Sequence, residues 1–214
     1  MYKYIFFDLD GTLTDPGEGI TNSVAHALTR FGIEVHERSE LYKFIGPPLK
    51  ESFAKYYGMS PEESTAALKY YREYYADKGI FENAVYDGVV ETLSAIRESG
   101  RRVIMATSKP DVYAERILEH FGLLEHFDFV AGADMAETRV AKADVIAHAL
   151  DSLGLRGKTD EILMVGDREH DILGAAAHGI DALGVTFGYG SADELLSAGA
   201  KYLANTPLEI LKFI

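Results

Sequence analysis

The sequence predicts an α/β protein, a mostly parallel sheet flanked by helices, interrupted once by an inserted all-α segment. Short apolar runs rich in β-branched and aromatic residues occur at Tyr4 to Phe7, Arg102 to Thr107, Phe127 to Gly132, Glu161 to Gly166 and Ile180 to Thr186, and each has the length and bounding residues of a strand. Amphipathic helical patterns lie between most of them, the alternation of a parallel sheet with helices on both faces. The gap between the first and second runs is far longer than one crossover helix requires.

The first run ends at Asp8 and is closed by Gly11, so it reads as a buried strand with Asp8-Leu9-Asp10-Gly11 at its carboxyl end, where open α/β sheets place ligands. The long gap contains helical patterns at Gly19 to Phe31, Leu49 to Tyr57 and Pro61 to Lys78. Residues 16–84 therefore read as a separate helical cap, and residues 1–15 with 85–214 as a core interrupted by that single insertion. Val85-Tyr86-Asp87-Gly88-Val89 marks the return to the core. Within the cap, Tyr70, Tyr71, Tyr74 and Tyr75 fall on one broad helical face, which favours packing of a small bundle over stacking on a base. The turn through Gly46, Pro47 and Pro48 serves equally well as a helix connector or as a substrate-facing loop.

The later elements carry further candidates. Thr107 closes the second strand just before Pro110, where a hydroxyl and free backbone amides either bind phosphate oxygens or cap a helix. Lys142 opens a helical stretch to Leu150 and reads as a phosphate-directed point charge or as a solvated helix lysine. Gly166-Asp167 follows the fourth strand, and Asp171 falls four residues later in the first turn of a helix, where acids also serve as caps. Gly188 and Gly190 permit a tight turn beside that segment. Lys109 adjoins Thr107 and adds positive potential, with no direction assigned to its side chain. Arg168 and Glu169 read as solvated, and none of the seven histidines, His170 included, is assigned to catalysis.

Side chains alternate along a strand, so Asp8 and Asp10 share a side and can converge on one atom. Such a pair suits phosphoryl chemistry: one carboxylate attacks phosphorus, and the other protonates the leaving alcohol and then activates water. Like charges this close repel, and a divalent cation held by hard oxygen ligands relieves the repulsion, which points to Mg²⁺. Taken alone, the segment would also pass for a solvated Asp- and Gly-containing turn.

Asp8-Leu9-Asp10-Gly11-Thr12-Leu13 resembles the first signature motif of the haloacid dehalogenase-like hydrolase superfamily in its phosphatase form, and three more of its motifs follow in order. Val103 to Thr107, with Ser108 and Lys109 after it, resembles the second, Lys142 the third, and Ile162 to Asp167 with Asp171 the fourth. The resemblance covers nearly the whole chain and implies a Rossmann-like core with a cap that closes over the catalytic end of the sheet. It implies Asp8 as nucleophile and Asp10 as general acid/base. Mg²⁺ is expected on the Asp8 carboxylate, the Asp10 backbone carbonyl and Asp167, with Asp171 acting directly or through water. Thr107, Ser108, Lys142 and the backbone amides of Leu9 and Asp10 are expected around the phosphate. The cap is similar to those of phosphoglycolate phosphatase and bacterial 5'-nucleotidase relatives. Phosphoglycolate or a nucleoside 5'-monophosphate is thus the expected substrate. Asp10 disfavours dehalogenase and phosphonate-cleaving chemistry, and Thr12 favours a phosphatase over a sugar phosphomutase, which stands as the alternative together with a non-catalytic phospho-ligand sensor. Ser108 and Ala143 depart from the Asn and Pro common in the family and bear on substrate identity.

Composition sets the outer bounds. With 214 residues and 47% hydrophobic content the chain can bury a full core. Its net charge of −13 disfavours a nucleic-acid partner, which needs clustered Lys and Arg. The absence of cysteine excludes disulfides and thiolate catalysis and agrees with a cytoplasmic protein. No apolar run reaches membrane-spanning length, and no signal peptide is read before the first strand. A small phosphate ester is the expected partner, for a monomer or homodimer.

Overall fold

The computed structural model describes residues 1–214, in which the chain forms two compact units, residues 1–14 with 85–214 and residues 15–84. The chain begins with β1 (Tyr4–Phe7) and then enters the second unit with α1 (Gly17–Thr29), α2 (Leu49–Tyr57) and α3 (Pro61–Tyr74). It returns with α4 (Val89–Glu98), β2 (Arg102–Pro110), α5 (Asp111–His120), β3 (Phe129–Ala133) and α6 (Lys142–Leu153). It ends through β4 (Ile162–Gly166), α7 (Glu169–Ala176), β5 (Asp181–Val185), α8 (Ala192–Ser197) and β6 (Tyr202–Ala204). No helix is long and apolar enough to cross a membrane.

The first unit is built on a six-stranded parallel sheet in the order β3-β2-β1-β4-β5-β6. The order reverses at β1, and the carboxyl ends flanking such a switch point are where open α/β sheets bind ligands. Register explains what meets there. Tyr4 pairs with Arg102 on one side and Ile162 on the other, and Phe7 with Met105 and Val165, so Asp8 comes level with the ends of both neighbouring ladders. Phe6, Ile104 and Met164 point to one face and pack against Val145, Ile146 and Ala149 of α6 and Ile172 and Ala175 of α7. Asp8 has the parity of Phe6 and so faces the side from which α6 and α7 approach.

The sixth strand, Tyr202–Ala204, was not among the five expected, and β2 runs three residues past Thr107. That extension contains an irregularity. Ala106 pairs with Ala131 but Pro110 with Ala133, so β2 carries extra residues against β3, a bulge of the kind that re-aims side chains near sites.

In the helical unit, α3 starts at a full capping box, Ser60 Oγ accepting from Glu63 N and Glu63 Oε2 from Ser60 N. It ends in a π-helical turn, Tyr75–Gly79. A 3₁₀ segment, Arg38–Phe44, fills what the sequence left as connector. Tyr71 and Tyr75 are buried and stacked, centroids 5.2 Å apart, Tyr70 meets Phe31 edge-on, and Tyr74 donates to Glu82 at 2.9 Å. The tyrosine face thus packs within its own unit. α1 approaches the π turn so closely that a Cβ on Gly19 would lie 1.9 Å from the Gly79 carbonyl oxygen. Gly19→Ala should therefore cost about 1–3 kcal/mol by overpacking, read as a lower urea midpoint. Gly157→Ala, whose Cβ would meet open space, should leave the midpoint unchanged or slightly raised.

Candidate active site

Four buried aspartates and two buried lysines gather at the carboxyl ends of β1, β2 and β4. Asp8 continues the ladder, its amide donating to the Val165 carbonyl at 2.9 Å. The chain then folds back, and the Leu9 carbonyl accepts from the amides of Thr12, Leu13 and Thr14. Gly11, at φ 80°, permits this turn, and a Cβ there would fall 2.2 Å from Asp167 Oδ2. The side chain of Leu9 is wholly buried in the core, which leaves its backbone as the only part that can serve a ligand.

Lys142 is the centre of charge. Its ammonium lies 2.8 Å from Asp8 Oδ1 and 2.8 Å from Asp171 Oδ1, and it donates to the Ala106 carbonyl at 2.9 Å. The solvated-lysine reading fails, because the residue is 5% exposed. Burial alone would lower its pKa, but the charges of Asp171 and Asp8 outweigh it and leave the group raised and firmly protonated. The first turn of α6 aims it, and its stem packs where α7 has Gly174.

Asp171 serves two purposes. Its Oδ2 accepts from the Arg168 amide at 3.1 Å, the cap that the helix-terminus reading expects, while Oδ1 reaches Lys142. Burial and the nearby Asp8 raise its pKa to about 6 despite Lys142. Asp167 is fully buried and accepts from the Tyr189 amide at 2.8 Å, with the Thr12 hydroxyl at 3.5 Å. Burial first, then Asp171 and Asp8, raise its pKa well above the ordinary value.

Asp8, Asp167 and Asp171 bring carboxylate oxygens within 4.8 Å of one another. Asp8 Oδ1 and Asp171 Oδ1 are buried and, beyond the Lys142 ammonium, have no partner. Converging, buried hard oxygen donors fit a hard divalent cation.

Asp10 stands apart from that trio. Its Oδ2 is 2.8 Å from the Lys109 ammonium, and its Oδ1 is buried without a hydrogen-bond partner. Burial raises its pKa, and Lys109 opposes the shift. Thr107 is buried, and its Oγ accepts from the Lys109 amide at 3.2 Å, while Ser108 is half-buried. Lys109 is the residue that sequence reasoning left without a role. No signal in the sequence gives its direction, because the irregularity in β2 between Ala106 and Pro110 breaks the strand alternation at this residue. Arg168, expected in solvent, instead pairs with Glu194 at 2.8 Å, and Glu194 Oε1 also accepts from the Glu169 amide. Gly188 and Gly190 are where the Asp167 segment is approached most closely: a Cβ on either would lie 2.2 Å from Gly11 O or 1.9 Å from Asp167 O, respectively.

A parallel sheet whose switch point gathers paired carboxylates, buried lysines and a hydroxyl defines a hydrolase-type phosphoryl site. The chain belongs to the haloacid dehalogenase-like hydrolase family, whose profile matches residues 5–185. It is 46% identical over 194 residues, 91% of this chain and 87% of the relative, to a protein of Pseudomonas aeruginosa named 5'-nucleotidase. It is 45% identical over 192 residues to tyrosine-protein kinase PtkA of Mycobacterium tuberculosis, covering 89% of this chain but 64% of that relative's length. Among solved structures, a predicted phosphatase from Clostridium acetobutylicum superimposes with TM-score 0.97 at 47% identity, over 100% of this chain and 98% of that one.

The raised pKa of Asp167 has a sign that can be measured. The folded state holds this proton to higher pH than the unfolded chain, whose ordinary value is 3.8. Its stabilising contribution is present below that value and is lost as pH rises through the folded pKa. Without metal, Asp167→Asn should match wild type near pH 4 and exceed it increasingly toward pH 7, by on the order of 5 °C in Tm. Adding Mg²⁺ at pH 7 should raise the Tm of wild type and leave the variant nearly unmoved.

Proposed function

We propose that this protein is a Mg²⁺-dependent phosphomonoester hydrolase working through an aspartyl-phosphate, an acyl phosphate formed on Asp8. The observation that carries the reading is the contact of Asp8 Oδ1 with the buried Lys142 ammonium at 2.8 Å, beside Asp167 and Asp171. It sets the Asp8 carboxylate directly beside a fixed positive charge able to receive phosphoryl oxygens.

Asp8, Asp167, the Asp10 backbone carbonyl and Asp171 would hold Mg²⁺, which when bound offsets the carboxylate charge and that of the substrate phosphate. The chain's own residues do the rest. An oxygen of Asp8 attacks phosphorus as the ester P–O bond breaks, and Asp10 gives its proton to the departing alcohol oxygen. Asp10, now a carboxylate, takes a proton from water as the water oxygen attacks phosphorus. The Asp8–phosphorus bond breaks, phosphate leaves, and both aspartates return to their starting states. Lys142 neutralises charge on the phosphoryl oxygens in both steps, and Thr107, Ser108 and the Leu9 amide orient them.

A small phosphorylated metabolite fits this reading: phosphoglycolate, or a nucleoside 5'-monophosphate, which the name of the Pseudomonas relative supports. We read the protein as cytoplasmic, monomeric or homodimeric, a placement consistent with the absence of cysteine. The kinase name of the mycobacterial relative favours one second reading, in which Asp8 passes the phosphoryl group to an acceptor hydroxyl instead of water.

Phosphate release from phosphoglycolate, nucleoside 5'-monophosphates, sugar phosphates and phosphotyrosine tests the proposal. Release should require Mg²⁺, stop with EDTA and be abolished by Asp8→Asn. Lys142→Ala should lower kcat about 10²- to 10³-fold, the range for a lost preorganised donor. Substantial turnover by Asp8→Asn would sink the mechanism, and group transfer without phosphate release would favour the second reading.

A further inference from the structure

We propose that Lys109 is the positioning residue for the general acid: it ties one oxygen of Asp10 in place and leaves the other aimed for proton transfer. This rests on the phosphatase reading above and adds a residue and a task to it. Three observations carry it. The Lys109 ammonium lies 2.8 Å from Asp10 Oδ2, and both side chains are buried, 5% and 12% exposed. The second oxygen, Oδ1, is buried with no hydrogen-bond partner. The bulge between Ala106 and Pro110 interrupts the pairing of β2 with β3 just where Lys109 turns inward. It is locked from behind, since a Cβ on Gly132 of β3 would sit 2.7 Å from the Lys109 carbonyl oxygen.

A second carboxylate two residues from Asp8 has a competing destination, the cation site formed by Asp8, Asp167 and Asp171. An ammonium on Oδ2 holds Asp10 away from that site through a charge-assisted contact in a dry environment. Oδ1 is then the only oxygen open to exchange a proton with the leaving group and later with water. Lys142 and Lys109 thereby divide the work: the first faces the nucleophile and the phosphate, the second the acid.

The test is the leaving-group dependence of Lys109→Met. An alkyl phosphate needs its departing oxygen protonated, whereas p-nitrophenyl phosphate leaves without help. On alkyl esters kcat should fall about 10²-fold, the lower range for acid catalysis. With p-nitrophenyl phosphate the first turnover should stay near the wild-type rate and later ones should slow, giving a burst of one p-nitrophenolate per protein, because the same misplaced Asp10 fails to activate water. The Mg²⁺-induced rise in Tm should persist, showing an intact fold and cation site. Lys109→Arg should recover part of the alkyl-ester rate, and in an Asp10→Asn background Lys109→Met should cost almost nothing more. An equal loss on both esters without a burst, or full additivity with Asp10→Asn, would overturn the assignment and make Lys109 a phosphate contact or a structural residue. Wild type inert toward every ester would overturn the phosphatase reading itself, a result distinct from either.

Discussion

The structure depends on a charge imbalance. Asp8, Asp10, Asp167 and Asp171 are buried together with two buried cations, Lys109 and Lys142, so full ionisation leaves an excess of two buried negative charges in a medium that solvates them poorly. Two relations follow from that single fact. Burial first, then neighbouring carboxylates, raise the pKa values of Asp10, Asp167 and Asp171. The deficit equals the charge of one divalent cation, which such a cluster of hard oxygen donors could hold.

Holding like charges together demands backbone that can approach closely, and the glycines supply it. Gly11, Gly188 and Gly190 surround Asp167, and Gly166 lies so near Asp171 that a Cβ would stand 2.2 Å from its carboxyl carbon. Cβ atoms at these positions would push apart the segments whose convergence forms the site. The glycines that look like simple turn residues in the sequence are spacers of the carboxylate cluster, and their role is set by tertiary proximity instead of by any turn type.

The legible part of this protein was local. Asp8 and Asp10 end an apolar strand, Lys142 opens a helix, and Asp167 and Asp171 straddle a strand-to-helix turn, so each could be read within a window of a few residues. Their meeting follows from the parallel register of β1 with β2 and β4; the repeated strand pattern implied a mostly parallel sheet but neither its order nor its register. What escaped depends on contacts between distant segments. Lys109 acquires its direction beyond an irregularity in β2 that no composition signals, and Arg168 leaves solvent because Glu194, in a helix 26 residues later, meets it. The strand Tyr202–Ala204 is three residues long and has no periodicity to detect. The 3₁₀ segment Arg38–Phe44 lies within a run that is polar apart from Leu41, Tyr42 and Phe44.

Asp171 shows why stability and function are joined at some positions and separable at others. One of its oxygens satisfies the Arg168 amide at the start of α7, and the other meets Lys142. Replacing Asp171 by Ala would therefore uncap a helix terminus and take a partner from a buried ammonium at once. Asp167 has no helix to cap: its partners are the Tyr189 amide and the Thr12 hydroxyl, both of which a neutral amide oxygen can still receive. Of the two acids that follow β4, the first accepts from an amide and a hydroxyl, whereas the second holds both a helix terminus and the Lys142 ammonium. The carboxylate nearest the strand end is thus free of any duty at the helix, while the helix holds its neighbour, and through it Lys142, in place.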